Sequence, residues 1–95
     1  MAKYRLTLAA DADIDRLFIF GFETFGLEQA DRYVSGLYEH LDDLADYPKR
    51  GPAVEHIHPG YRRSVYGVHS VYYRIDPNEI VIVRILGRED PAQQL

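Results

Sequence analysis

The sequence predicts an α+β fold: an N-terminal strand, an antiparallel αα-hairpin, then a three-stranded antiparallel meander. Two helical stripes of apolar residues lie before residue 47, and three strand-like runs follow residue 59. Short turn signals separate those runs, which fits hairpin connections and leaves no room for crossovers. At 95 residues with 46% apolar and 27% charged composition, the chain has the size and make-up of one globular domain, 1–95. No apolar run approaches the ~20 residues of a membrane span, and no signal-peptide pattern opens the chain, so a cytoplasmic location is expected. Cysteine is absent, which excludes disulfides and thiolate chemistry.

Each element has its own signal. Tyr4-Arg-Leu-Thr-Leu8 alternates and reads as a short strand. A helix follows, with Thr7 or Asp11 as N-cap and Asp13 and Asp15 near its positive end. Its inward stripe is Ile14, Leu17, Phe18, Phe22 and Phe25, which leaves Ile19 and Phe20 as surplus apolar groups suited to a partner. Gly26 turns the chain, and a second helix covers about 27–46. Ala30, Tyr33, Val34, Leu37, Leu41, Leu44 and Ala45 form its apolar face. Residues 47–59 carry three prolines and a glycine and read as a loop. Tyr66-Gly-Val-His69 and Asp76-Pro-Asn78 read as the turns of the meander. Strict alternation puts Val71, Tyr73 and Ile75 with Val81, Val83 and Ile85 on an apolar face. Ser70, Tyr72 and Arg74 then share a mixed face with Ile82, Arg84 and Leu86.

Charge is unevenly spread. The net charge is −4, yet residues 1–46 carry −6 and residues 47–95 carry +2. Arg62, Arg63, Arg74, Arg84 and Arg88 recur along the meander, a pattern that predicts a surface for an anionic group. The chain lacks the dominant basic field of a free nucleic-acid binder. His56-x-His58 has no convincing third ligand in its loop beyond Glu55, so no metal is expected. No Gly-rich phosphate loop or Ser-His-Asp pattern is present, and no cofactor is expected.

The element order and several local patterns resemble the ParE/RelE toxin superfamily of bacterial toxin–antitoxin modules. Ala9 to Ile14 followed by Leu17 is similar to the family's first helix, and Leu44-Ala-Asp-Tyr-Pro48 to the exit of its second. Gly60-Tyr-Arg-Arg63, Tyr73-Arg74 and Val83-Arg-Ile-Leu86 resemble its closing strands. The resemblance is nearer to ParE than to RelE. It implies a ParD-like antitoxin, a ribbon–helix–helix dimer that binds DNA and assembles with the toxin into a heterotetramer or larger complex. It further implies DNA gyrase as target. The antitoxin is expected on Phe18, Phe22, Tyr33, Leu37 and Leu41, with its carboxylates on Arg62, Arg63, Arg74 and Arg84 beside Tyr72. Arg84, Leu86 and Arg88 are expected to meet the target.

Two other readings stay open. A RelE-like ribonuclease needs a base, an acid and cations around a phosphate. The arginines supply cations, but Gly87–Leu95 holds neither the tyrosine nor the histidine that RelE-type toxins place there. No catalytic residue is therefore assigned. Where many ParE relatives continue with Leu-His and Met-Asp, this chain has Leu86-Gly-Arg-Glu-Asp90. That departure allows a module that binds antitoxin without toxicity.

Overall fold

A computed structural model describes residues 4–95. It contains β1 (Tyr4–Leu6), α1 (Leu8–Phe25), α2 (Leu27–Asp46), β2 (Tyr61–Tyr66), β3 (His69–Ile75), β4 (Ile80–Leu86) and a single turn, α3 (Pro91–Gln94). The sheet order is β1-β4-β3-β2. The meander is antiparallel as expected, but β1 pairs with β4 in parallel, so the whole sheet is mixed.

The expected strand at Tyr4–Leu8 stops at Leu6 because Thr7 caps α1: its Oγ1 accepts from the Ala10 N–H at 3.0 Å. One residue, Gly26, joins the two helices with φ 93°, a backbone conformation that disfavours any side chain. Gly67 has φ 55° at the first position of the two-residue β2–β3 turn, the pattern of a type II′ hairpin. A Cβ there would also meet the Tyr33 hydroxyl at 2.5 Å.

The main core lies between the hairpin and one face of the sheet. Leu37, Leu41 and Leu44 of α2 meet Ala10 and Ile14 of α1 and Val71, Tyr73, Ile80, Ile82 and Ile85 of the sheet. This corrects the alternation expected in β4. Tyr72 opposes Arg84 while Tyr73 opposes Ile82, so Val83 is an extra residue, a β-bulge. The bulge reverses parity. Ile82 joins Ile85 on the helix side, and Val81, opposite Arg74, moves to the second face.

That second face is not open throughout. Tyr72 and Leu86 pack with Val54, Ile57, Tyr61 and Leu95, so the proline-rich loop and the C-terminal turn cover part of it. The loop also closes the β2 edge: Val54 N–H donates to Tyr61 O and Arg63 N–H to Pro52 O. Tyr73 anchors the loop from below the sheet. Its hydroxyl donates to Pro48 O at 2.7 Å and accepts from the buried Gly51 N–H at 3.1 Å. Tyr73→Phe leaves that N–H without a partner and is expected to cost about 1–3 kcal/mol, read as a lower urea midpoint with unchanged slope.

Candidate functional site

The arginine row is the natural starting point. Arg62 stands opposite Tyr73 and so lies on the helix side, where its Nη1 donates to Gly51 O at 2.6 Å. It holds the loop and does not belong to the second face. Arg63, Arg74 and Arg84 do share that face, together with Arg5, which the sequence reading missed. Arg5 pairs with Glu79 at 2.9 Å, Arg74 with Asp76 at 3.2 Å, and Arg63 donates to Ser70 Oγ at 2.9 Å. These contacts are partly exposed and add little stability. Each takes up the Nε–H of its arginine.

Arg84 is different. Its Nε donates to Asp13 Oδ2 at 2.7 Å and its Nη2 to Asp13 Oδ1 at 2.9 Å, a bidentate fork. The Ile85 N–H donates to the same Oδ2 at 2.9 Å, and Arg16 adds a further bond to Oδ1. The Asp13 side chain is 1% exposed and that of Arg84 is 16% exposed. The hydrogen bonds to Asp13 raise the Arg84 pKa further. Beyond Ile82 the β4 edge has no strand neighbour. α1 lies along it, with Thr7 Oγ1 donating to Val83 O and Asp13 accepting from Ile85. Asp13 thus acts as the edge's missing acceptor. Its sequence signal was available: it falls on the Ala10, Ile14, Leu17 stripe, where a carboxylate needs a cation.

The hydrophobic positions sort just as sharply. Leu37 and Leu41 have no exposed surface and belong to the core, correcting their expected place in a contact surface. Tyr72 and Leu86 are likewise buried, under the loop and Leu95, and have little to offer a partner. Phe18 is half-buried and stacks on Phe22 at 6.5 Å between centroids. Phe22 is 49% exposed and Phe25 60% exposed, so the outer half of the expected inward stripe faces solvent. With Ile19, Phe20 and Leu27 they form an uncovered apolar tip on the hairpin.

Tyr33 sits beneath that tip and ties α2 to the β2–β3 turn. Its hydroxyl lies 2.8 Å from His69 Nδ1, and Tyr66 Oη donates to Tyr33 O at 2.8 Å. His40 meets Ser64 Oγ at 2.8 Å on the same helix–sheet seam. Burial lowers the pKa of both histidines below 6.5, partly opposed by Asp43 at His40 and by Glu89 at His69. The unfolded chain therefore binds protons first as the pH falls below about 6.5. Stability is full above that pH, declines below it, and levels off once the pH passes under the folded-state values. Urea midpoints should be lower at about pH 5.5 than at about pH 7.5, and the His40→Gln/His69→Gln pair should flatten the difference.

A cleft of about 790 Å³ opens between α1, the β2–β3 turn and the residues after β4. Arg88, exposed and making no side-chain hydrogen bond among the described residues, stands on its rim with Glu89, whose Oε2 accepts from Gly87 N–H at 2.7 Å. Among the described residues no cluster of three potential metal ligands occurs.

A helical hairpin laid on a four-stranded mixed sheet is a fold shared with chains of toxin–antitoxin systems. A chain of the chromosomal ParDE TA system from P. aeruginosa superposes with a TM-score of 0.79 at 26% identity, covering 94% of this chain and 98% of that one. A chain of the toxin–antitoxin complex RelBE2 from Mycobacterium tuberculosis shares the fold, with a TM-score of 0.70 at 24% identity and 92% and 98% coverage. The sequence is 35% identical to Toxin ParE1 of Caulobacter vibrioides, spanning 98% of this chain and 96% of that protein. It is 33% identical to Toxin ParE1 of Mycobacterium tuberculosis, with 90% and 88% coverage. Residues 4–91 match the model of the ParE toxin of the type II toxin–antitoxin system parDE, and the chain belongs to that family.

Proposed function

We propose that this toxin works by docking, with DNA gyrase as target, and that a ParD-like antitoxin silences it by covering the hairpin tip. The exposed aromatic tip carries the reading. Ile19, Phe20, Phe22, Phe25 and Leu27 leave large apolar groups bare, and exposed groups of that kind mark protein contacts. A structural neighbour comes from a ParDE system, which supports an antitoxin as the covering partner. The ribbon–helix–helix dimer of such an antitoxin would build a heterotetramer or larger assembly and supply its DNA contacts. The working unit is the whole chain, 1–95, acting in the cytoplasm. No described helix is long and apolar enough to cross a membrane.

The fork of Arg84 on Asp13 and the bond of Arg62 to Gly51 O favour binding over RNA cleavage, because a phosphate would have to displace those partners. Of the three residues expected at the target contact, Arg84 and Leu86 are engaged within the fold, and Arg88 has no side-chain hydrogen bond among the described residues. The purified chain should inhibit supercoiling by purified gyrase, and Arg88→Ala should weaken that inhibition. Full supercoiling in excess toxin would end the gyrase reading.

A further inference from the structure

We propose that the cleft beside α1 takes an acidic, apolar-tipped segment of the antitoxin, with its carboxylates on Arg16 and Arg88. The proposal rests on the antitoxin reading above and places acid recognition at a concavity bordered by two arginines with spare donors.

On the sheet, Arg84 is spent on Asp13 and Gln94, while Arg5, Arg63 and Arg74 each use one Nε–H within the fold. The cleft sets two further arginines beside a concavity. Arg16 spends one bond on Asp13, whose two oxygens already serve Arg84 and the Ile85 N–H, and its side chain is 60% exposed. Arg88 stands exposed on the rim. Two arginines with spare donors therefore border one concavity, and planar guanidinium groups suit carboxylates.

The walls between them are apolar. Leu17 and buried Ile85 contribute to the lining, while Phe20 and Val68 expose 64% and 81% of their surfaces. Neither of these last two serves the core. Phe20 lies off the stripe of α1, and Val68 is the second residue of the tight turn begun by Gly67. A volume of about 790 Å³ is within the range of pockets that take a large side chain or a short peptide. The occupant that fits is a segment with an aromatic or long aliphatic side chain flanked by Asp or Glu. A polyphosphate fits less well, because Glu89 lies on the rim and exposed Asp15 stands one residue from Arg16 on α1. Because Arg88 also belongs to the proposed target contact, a segment seated here would exclude the target directly.

The test is the affinity of the purified chain for its cognate ParD-like antitoxin, measured for the parent and for Phe20→Ala, Arg16→Ala and Arg88→Glu. Each variant should weaken binding by about 10–100-fold. The Arg16→Ala/Arg88→Glu pair should also lose most of the salt dependence, with thermal midpoints close to the parent's. Should Arg16→Ala melt early, Arg88→Glu carries the test alone, since Arg88 makes no hydrogen bond within the described chain. Parent-like affinity in all three variants, with the parent itself binding, overturns the cleft assignment and leaves the antitoxin reading intact. No binding by the parent overturns both. Binding of a single-stranded oligonucleotide by the parent but not by the variants would give the cleft to a polyphosphate and overturn the proposal.

Discussion

Arg84→Ala should lower folding stability by about 3–5 kcal/mol, the cost of leaving a buried carboxylate without its main cation. A domain of this size has about 5–15 kcal/mol in total, so the variant should lose a large share of its stability. The reason is specific. Asp13 is almost wholly buried and accepts four hydrogen bonds, two of them from Arg84. Without Arg84 the charge would keep only Arg16 and one backbone N–H. Arg84→Lys should fall between parent and Ala, because a single ammonium cannot make the fork. Asp13→Asn should also destabilise, since it strands the guanidinium beside the β4 edge. Urea melts of the three variants test this. Parent-like stability of Arg84→Ala would return Arg84 to the role of a free docking residue.

Leu41→Ala should cost about 2–5 kcal/mol, whereas Phe22→Ala should change stability by no more than about 0.5 kcal/mol. Both were expected on one contact surface, yet their burial differs completely. Leu41 is enclosed by the core that joins α2 to the sheet, while Phe22 is half exposed on the hairpin tip. Phe22→Ala should instead weaken antitoxin binding, and the loss should appear in the dissociation rate. Leu41→Ala should affect binding only through the smaller folded fraction. Calorimetric melts combined with antitoxin titrations separate the two effects.

The elements themselves were legible because each carries a local signal. Thr7 caps α1, Gly26 ends it, and the turns at Gly67 and after Ile75 fall where Gly, Asp and Asn place them. Less legible was everything set by a single inserted residue or a long-range partner. The bulge at Val83 has no composition signal, yet it inverts the faces of Val81 and Ile82. The parallel pairing of β1 with β4 joins residues far apart in sequence, and alternation is silent about direction. The loop over Tyr72 was read as a connection because prolines mark turns, while Val54 and Ile57 within it are the groups that cover the face. For the site, the arginine pattern was visible but its meaning was not. Counting guanidinium groups gives their number, while only the fold shows that Arg62 holds a loop and Arg84 holds Asp13. The surplus at Ile19 and Phe20 was visible, but the same surplus at Phe22 and Phe25 was hidden. Helical spacing assigned Phe18, Phe22 and Phe25 to one inward stripe, whereas the sheet reaches only the first half of α1.

A toxin that acts by docking should block a purified target without changing it covalently, and should release it when antitoxin is added. The direct measurement is supercoiling by purified gyrase at rising toxin concentration, followed by antitoxin, with ribosome-bound mRNA offered to the same preparation. The account predicts a dose-dependent loss of supercoiling, recovery on addition of antitoxin, and intact mRNA. Unaffected gyrase together with cleavage of codons in the ribosomal A site would contradict it.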